Sequence, residues 1–344
     1  MNDAKRKEIS GVKNQMPGYL KRLDDPFGIT WRIYNLIKRF DLKFILKFVG
    51  TLFQDVDLKS PIFIIGMPRS GTTTLSRLLE NCDGISSIGR EAHDIWRLYH
   101  HPRYTKWSGD YVGPDDIKLG EKKVVYSLFK AAIGNNRLLD KTADNLIRIE
   151  YLHELFPDAT FIVIKRNPCD VINSLINAWK DPSGRFRSYY VPKRLNIPEY
   201  NSVRRWCLTL ITNWKDLTNS SIPEIAYEQW KTYVKGIIKA RQIVSNEKWI
   251  EIYLEDMVSN PRDVFKGVCD KLDITLDEKK YNESEKTIDT PINALSPKKS
   301  DKWKSQNLDS IIELLPKIAP LSKEIGYQIN EQSGDMNLLD SNIK

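Results

Sequence analysis

The chain has little cysteine and no long apolar run. Its four cysteines, Cys82, Cys169, Cys207 and Cys269, lie far apart and form no C-x-x-C pair. That spacing argues against a disulfide scaffold and against a zinc site, and reduced, partly buried thiols are expected. No stretch of about 18 apolar residues occurs, so no bilayer-spanning helix is expected. The amino-terminal MNDAKRKEIS carries charge but lacks the apolar centre of a secretory signal, and a cytoplasmic location is expected. The glycosylation-like triplets at Asn219 and Asn282 are then chance matches.

What the 344 residues do have is enough apolar content, 41%, for one large α/β domain with appendages or for two domains. The net charge of +8 suits an anionic cofactor, nucleic acid or a membrane surface. The basic residues are spread along the chain, so charge alone selects none of these, and no nucleic-acid partner is expected.

The most informative segment is Pro61 to Leu75, PIFIIGMPRSGTTTL. Ile62 to Ile65 form a short, wholly apolar run, the pattern of a buried parallel strand. Gly66 ends it and Gly71 follows five positions later. Ser70, Thr72, Thr73 and Thr74 then supply hydroxyls where a helix should begin. This spacing fits a loop whose backbone N–H groups and helix N-terminus hold a phosphate. An ATP-binding Walker loop would carry Lys after the second glycine. Thr72 stands there, and the cation comes earlier, at Arg69.

Further strands are expected at Arg137–Asp140, 160–164 and 249–254, alternating with helices at 145–155, 168–179, 201–219, 223–245, 261–272 and 307–326. Such alternation predicts a doubly wound parallel sheet flanked by helices, of the P-loop NTPase-like kind. The expected division is an N-terminal basic amphipathic helical arm over 1–57, an α/β domain over 58–330 and a disordered tail over 331–344. Within the arm, residues 31–53 are apolar at helical spacing with Arg32, Lys38, Arg39, Lys43 and Lys47 between. Such a helix packs on its own domain or lies peripherally on an anionic membrane.

Together these segments resemble the PAPS-dependent sulfotransferases, in which PAPS is 3′-phosphoadenosine 5′-phosphosulfate. The loop Arg69–Thr74 resembles their 5′-phosphosulfate loop. FIVIKRNPCDVINSL resembles their 3′-phosphate segment, with Arg166 at a strand end and Ser174 eight residues on. Arg166 could instead pair with Asp170. SIGREAHDIW resembles the base-bearing segment of the heparan-sulfate and tyrosyl-protein branch, which implies Glu91 as general base, with His93 second. A surface salt bridge to Arg90 or Arg97 is the alternative for Glu91. LDKTADNL resembles the family's Lys-Thr-Pro segment, with Ala143 in place of proline. It implies Lys141 as the cation that neutralises charge on the transferring group. Lys298, Lys299 and Lys302 resemble the late basic loop over the cofactor. The resemblance covers roughly 58–327 and implies sulfuryl transfer from PAPS to an acceptor hydroxyl on a carbohydrate, lipid or small alcohol, without a metal. Two alternatives are a P-loop kinase or NTPase, against which Thr72 and Lys165-Arg166 speak, and an inactive membrane-surface scaffold.

Overall fold

The computed structural model describes residues 42–67, 70–282 and 301–339. Arg69, Lys298, Lys299 and the arm up to Asp41 lie outside the described residues. The strands are β1 (Ile62–Gly66), β2 (Ile85–Ser86), β3 (Arg137–Asp140), β4 (Thr160–Lys165), β5 (Arg187–Tyr190), β6 (Arg205–Cys207), β7 (Trp249–Tyr253), β8 (Tyr327–Ile329) and β9 (Met336–Leu338). Five of them form one sheet in the order β2-β3-β1-β4-β7. Every neighbouring pair in it is parallel. The order reverses direction at β1, which places the loop after β1 where an open α/β sheet binds ligands.

Helices cover both faces. They include α1 (Leu42–Leu52), α2 (Thr72–Glu80), α3 (His93–His100), α4 (Glu121–Ile133), α5 (Ile149–Leu155), α6 (Pro168–Lys180), α7 (Ile222–Ala240), α8 (Leu254–Ser259), α9 (Pro261–Leu272), α10 (Trp303–Gln306), α11 (Leu308–Ile312) and α12 (Leu315–Glu324). Side chains alternate across a strand, so the apolar run of β1 serves two cores at once. Ile62 and Ile64 join Ile162, Ile164, Ile250 and Ile252 against α2 and α9. Phe63 and Ile65 join Phe161 and Val163 against α3 to α7. Phe63 and Phe161 sit opposite each other in the register, with ring centroids 5.5 Å apart.

Three expectations are corrected. No helix fills 201–219. Arg205–Cys207 pairs with β5 instead, and turns follow. Leu208 takes φ 57°, a conformation neither helix nor strand accommodates. The carbonyls of Cys207 and Thr209 accept from Gln229 Nε2 at 3.0 and 2.9 Å, so a distant side chain does the work of a ladder. The segment expected as a helix over 145–155 begins as a 3-10 turn, Ala143–Arg148, before α5. The expected tail over 331–344 contains β9, which pairs with β8 as far as its described residues go. Gly334, at φ 72°, lets that hairpin press against the Trp303 ring, where any Cβ would stand 2.4 Å from Cη2. Among the described residues no helix is long and apolar enough to cross a membrane.

Candidate active site

The C-terminal ends of β1, β3 and β4 lie side by side, and each delivers one part of the site. After β1, Gly66 leaves no room for a side chain. A Cβ there would stand 2.7 Å from Ser70 Oγ and 2.9 Å from the Ile164 carbonyl oxygen. Gly71 takes φ 88° as the N-cap of α2, and no side chain caps the helix. Its first N–H groups therefore face the loop, a natural anion seat. Ser70 is fully buried, and its Oγ finds no partner among the described residues. A buried hydroxyl left unpaired is costly unless a ligand completes it. Thr72 is buried and Thr73 and Thr74 are half-buried beside it. The loop thus fits a phosphate, and it does so without a Walker lysine.

After β3, Lys141 Nζ donates to Glu91 Oε1 at 3.0 Å. His93 Nε2 lies 2.7 Å from the other oxygen, Oε2. Burial opposes ionisation of Glu91, but the His93 hydrogen bond and the Lys141 charge outweigh it and hold the carboxyl at about 2. Glu91 pairs with Lys141 rather than with Arg90, whose guanidinium meets Asp94 at 3.1 Å. So the three side chains that the resemblance singled out, Glu91, His93 and Lys141, do meet, although Lys141 is 50 residues from Glu91.

The groups that hold this cluster were not legible beforehand. Thr142 Oγ1 accepts from the Ala92 N–H at 2.9 Å and donates to Asp140 Oδ1 at 2.9 Å. It ties the backbone next to Glu91 to the strand that carries Lys141. Asp140 also accepts from Trp96 Nε1 and from Asn145 Nδ2, both at 2.9 Å. Burial raises its carboxyl to about 6 in spite of these donors. Asp144 lies 3.8 Å from His93 Nδ1 and 3.4 Å from Arg97 Nη2, and it accepts the Thr209 hydroxyl. Behind it, fully buried Asp110 takes the Arg148 guanidinium at 3.2 Å, the Leu210 N–H at 2.8 Å and the Tyr189 hydroxyl. A Thr-Asp pattern in the sequence could have signalled the Thr142–Asp140 contact. Nothing local could have signalled Thr209. His100, farther along α3, is buried and bonded to Glu121 at 2.6 Å.

After β4, Arg166 leans toward Asp170, Nη2 to Oδ2 3.7 Å, the pairing that was the alternative to phosphate binding. The contact is too long for a strong hydrogen bond. Burial raises the Asp170 carboxyl, with Arg166 opposing, and its Oδ1 has no partner among the described residues. Asn167 caps α6 by accepting from the Cys169 N–H at 2.9 Å. Ser174 follows two turns along the same helix, half-buried. The Asp301 N–H donates to Asp170 Oδ2 at 3.2 Å, and Gln306 accepts from Asn173 and Asn177 at 2.8 Å each. These bonds dock the segment after the late basic loop onto α6 and seat Lys302, next in the chain to Asp301, beside the Arg166 end of that helix. The aligned parts are a glycine–hydroxyl loop, a carboxylate–lysine pair and a second cation on one sheet edge.

A sequence profile of the sulfotransferase family matches residues 61–278. A 136-residue segment is 32% identical to nodulation protein NoeE of Sinorhizobium fredii and covers 35% of this chain and 32% of that protein. The chain therefore spans only about a third of that relative's length. Protein-tyrosine sulfotransferase A of Caenorhabditis elegans is 20% identical over 290 residues, 78% of this chain and 67% of that protein. Among solved structures, sulfotransferase STF9 from Mycobacterium avium shares the fold with a TM-score of 0.56. That match covers 91% of this chain and 87% of that one at 16% identity. The profile match runs through the loop after β1, the Glu91 and Lys141 segments and the Arg166 strand, and so the chain belongs to the sulfotransferase family.

Proposed function

We propose that the protein transfers a sulfuryl group from PAPS to the hydroxyl of an acceptor, with Glu91 as general base. The observation that carries this reading is the Glu91–Lys141 pair at the same sheet edge as a phosphate loop that lacks the Walker lysine. In the reaction, the acceptor O–H gives its proton to Glu91. Its oxygen forms the new bond to sulfur as the bond from sulfur to the 5′-phosphate oxygen breaks. The electron pair leaves with 3′,5′-adenosine bisphosphate. Ser70, Thr72, Thr73, Thr74 and the N-terminus of α2 would hold the 5′-phosphate, with Arg69 supplying charge. Arg166, Ser174 and Lys302, together with Lys298 and Lys299, would hold the 3′-phosphate.

Lys141 has two claims on it. On Glu91 it keeps the carboxyl at about 2, ionised but a weak base. Drawn toward the anionic sulfonate, it would leave Glu91 with one cationic contact fewer, and the proton affinity of the carboxylate would rise. Donor binding and base activation would then be linked through one ammonium group.

The test is a thermal-shift titration with 3′,5′-adenosine bisphosphate, against AMP, ADP and ATP·Mg²⁺. A ligand that binds only the folded state raises the melting temperature by mass action. The bisphosphate should stabilise the wild type selectively and lose that effect in Arg166→Ala. Glu91→Gln should keep the shift and lose about 10²–10⁴-fold in sulfuryl transfer from PAPS. Stabilisation by ATP·Mg²⁺ alone would replace this reading with a kinase or NTPase.

A further inference from the structure

We propose that the outer face of α1 is a docking surface for an anionic lipid bilayer, independent of the transfer chemistry. Helix α1 has two apolar faces. Phe44, Phe48 and Leu52, four residues apart, turn inward onto the core that α4 shares. Leu46, Val49 and Phe53 stand on the other side, at 65%, 44% and 85% exposure. Their spacing of three and four residues puts them on one stripe. The Phe53 N–H donates to the Gly50 carbonyl at 3.4 Å, which carries the turn past the helix end. A side chain built on Gly50 would meet nothing within 4 Å, so among the described residues nothing covers this side of the helix.

Packing among the described residues does not use this second stripe, because the first already anchors the helix. Charge says what it fits. The helix LKFILKFVGTL contains Lys43 and Lys47, both exposed, and no acidic residue. Upstream the sequence adds Arg32, Lys38 and Arg39 against Asp41, and downstream Asp55 and Asp57 against Lys59, so the basic charge lies on the N-terminal side of the stripe. An open apolar stripe with flanking lysines is the pattern of a helix lying in the headgroup layer, its apolar side chains inserted and its lysines on anionic headgroups. A protein partner would need a large, shape-matched apolar area, whereas three protruding side chains suit a fluid surface.

Co-sedimentation of the full chain with phosphatidylglycerol-containing vesicles, and with pure phosphatidylcholine vesicles, tests this. The protein should pellet with the anionic vesicles, and added salt should release it. Phe53→Ser should weaken that binding by on the order of tenfold, since it withdraws one buried aromatic side chain. Lys43→Glu with Lys47→Glu should remove the preference for anionic lipid. Both variants alter exposed side chains, so melting temperature and stabilisation by 3′,5′-adenosine bisphosphate should match the wild type. Failure to pellet overturns the proposal. So does a Phe53→Ser variant that melts several degrees lower in free solution, which means the chain itself covers the stripe. So does a wild-type dimer in light scattering that Phe53→Ser dissolves, which means a second copy covers it.

Discussion

Thr142 shows how much of the site depends on a residue with no chemistry of its own. Its hydroxyl joins the Ala92 N–H to the Asp140 carboxylate, and through them the Glu91 backbone to the Lys141 strand. Thr142→Val keeps the shape and deletes the hydroxyl. A buried N–H then goes unpaired and a buried carboxylate loses a donor, at a cost of roughly 1–3 kcal/mol. If Glu91 is the base proposed above, the stability loss should come with a fall in kcat larger than the change in KM, because Glu91 shifts relative to Lys141 while the loop after β1 stays put. Thr142→Ser should restore both. Equal kcat in Thr142→Val and wild type would make Thr142 a purely structural residue. At this scale the candidate groups Ser70, Glu91, Lys141 and Arg166 could be picked out because each follows a strand in a short pattern, and the structure brings Glu91 and Lys141 into contact. Their supports could not be picked out in this way. Asp140 depends on Trp96, 44 residues away, and Asp144 on Thr209, 65 residues away. Such partners are chosen by the tertiary fold, and no local spacing encodes them.

Among the elements, the strands of the parallel sheet were the most legible, since a strand buried on both faces must be apolar throughout. β7 departs from that rule at Glu251, and the departure is a joint. Glu251 accepts from Lys165 of β4 at 2.7 Å, from Arg241 beyond α7 at 2.5 and 2.7 Å, and from Trp249 Nε1 at 2.7 Å. Burial alone would raise its carboxyl, but the Arg241 hydrogen bond and the Lys165 charge hold it at about 2. A folded value below the unfolded one means that the unfolded chain binds more protons between them. Stability is therefore full above about pH 5 and is lost as pH falls toward about 2, by about 3 kcal/mol in all. Urea unfolding across this range should show the loss in the wild type. Glu251→Gln should be destabilised at neutral pH, with two cations left short of charge, and its gap to the wild type should narrow steadily on acidification. A gap that stays constant with pH would assign the acid sensitivity to other carboxylates. The segment 201–219 was misread for a related reason. Its apolar spacing is set by the Trp206, Leu210, Ile211 and Trp214 side chains reaching one core, while Gln229 and Asp110 satisfy its backbone from outside.

Across the whole molecule, the carboxy-terminal hairpin is wired back to the sheet edge that carries the candidate site. The Tyr327 hydroxyl donates to Glu255 Oε2 at 2.9 Å, and Glu255 Oε1 accepts from the Asn167 N–H, next to Arg166, at 2.8 Å. Leu254, its neighbour, packs where a Cβ on Gly71 would stand, 2.7 Å away. The polar sequence of 331–344 hid this, because the hairpin is held by tertiary contacts with Trp303 and Tyr253 and not by an apolar run of its own. Gly326 is the pivot. It takes φ 87°, and a Cβ there would fall 1.9 Å from Tyr253 Oη. Gly326→Ala therefore carries two costs: the left-handed backbone, roughly 1–2 kcal/mol, and the collision with the tyrosine hydroxyl. The second can be removed separately, since Tyr253→Phe deletes that oxygen and keeps the ring that meets Tyr327 edge-on at 5.2 Å. In a double-mutant cycle, Gly326→Ala should cost more in the wild-type background than in Tyr253→Phe, with the backbone cost remaining in both. The same variant should weaken stabilisation by 3′,5′-adenosine bisphosphate, because a displaced Tyr327 releases Glu255 from Asn167. Equal costs in the two backgrounds would mean that the hairpin swings clear of Tyr253 when strained. Unchanged bisphosphate binding alongside a real stability loss would mean that the hairpin braces the fold without reaching the donor site.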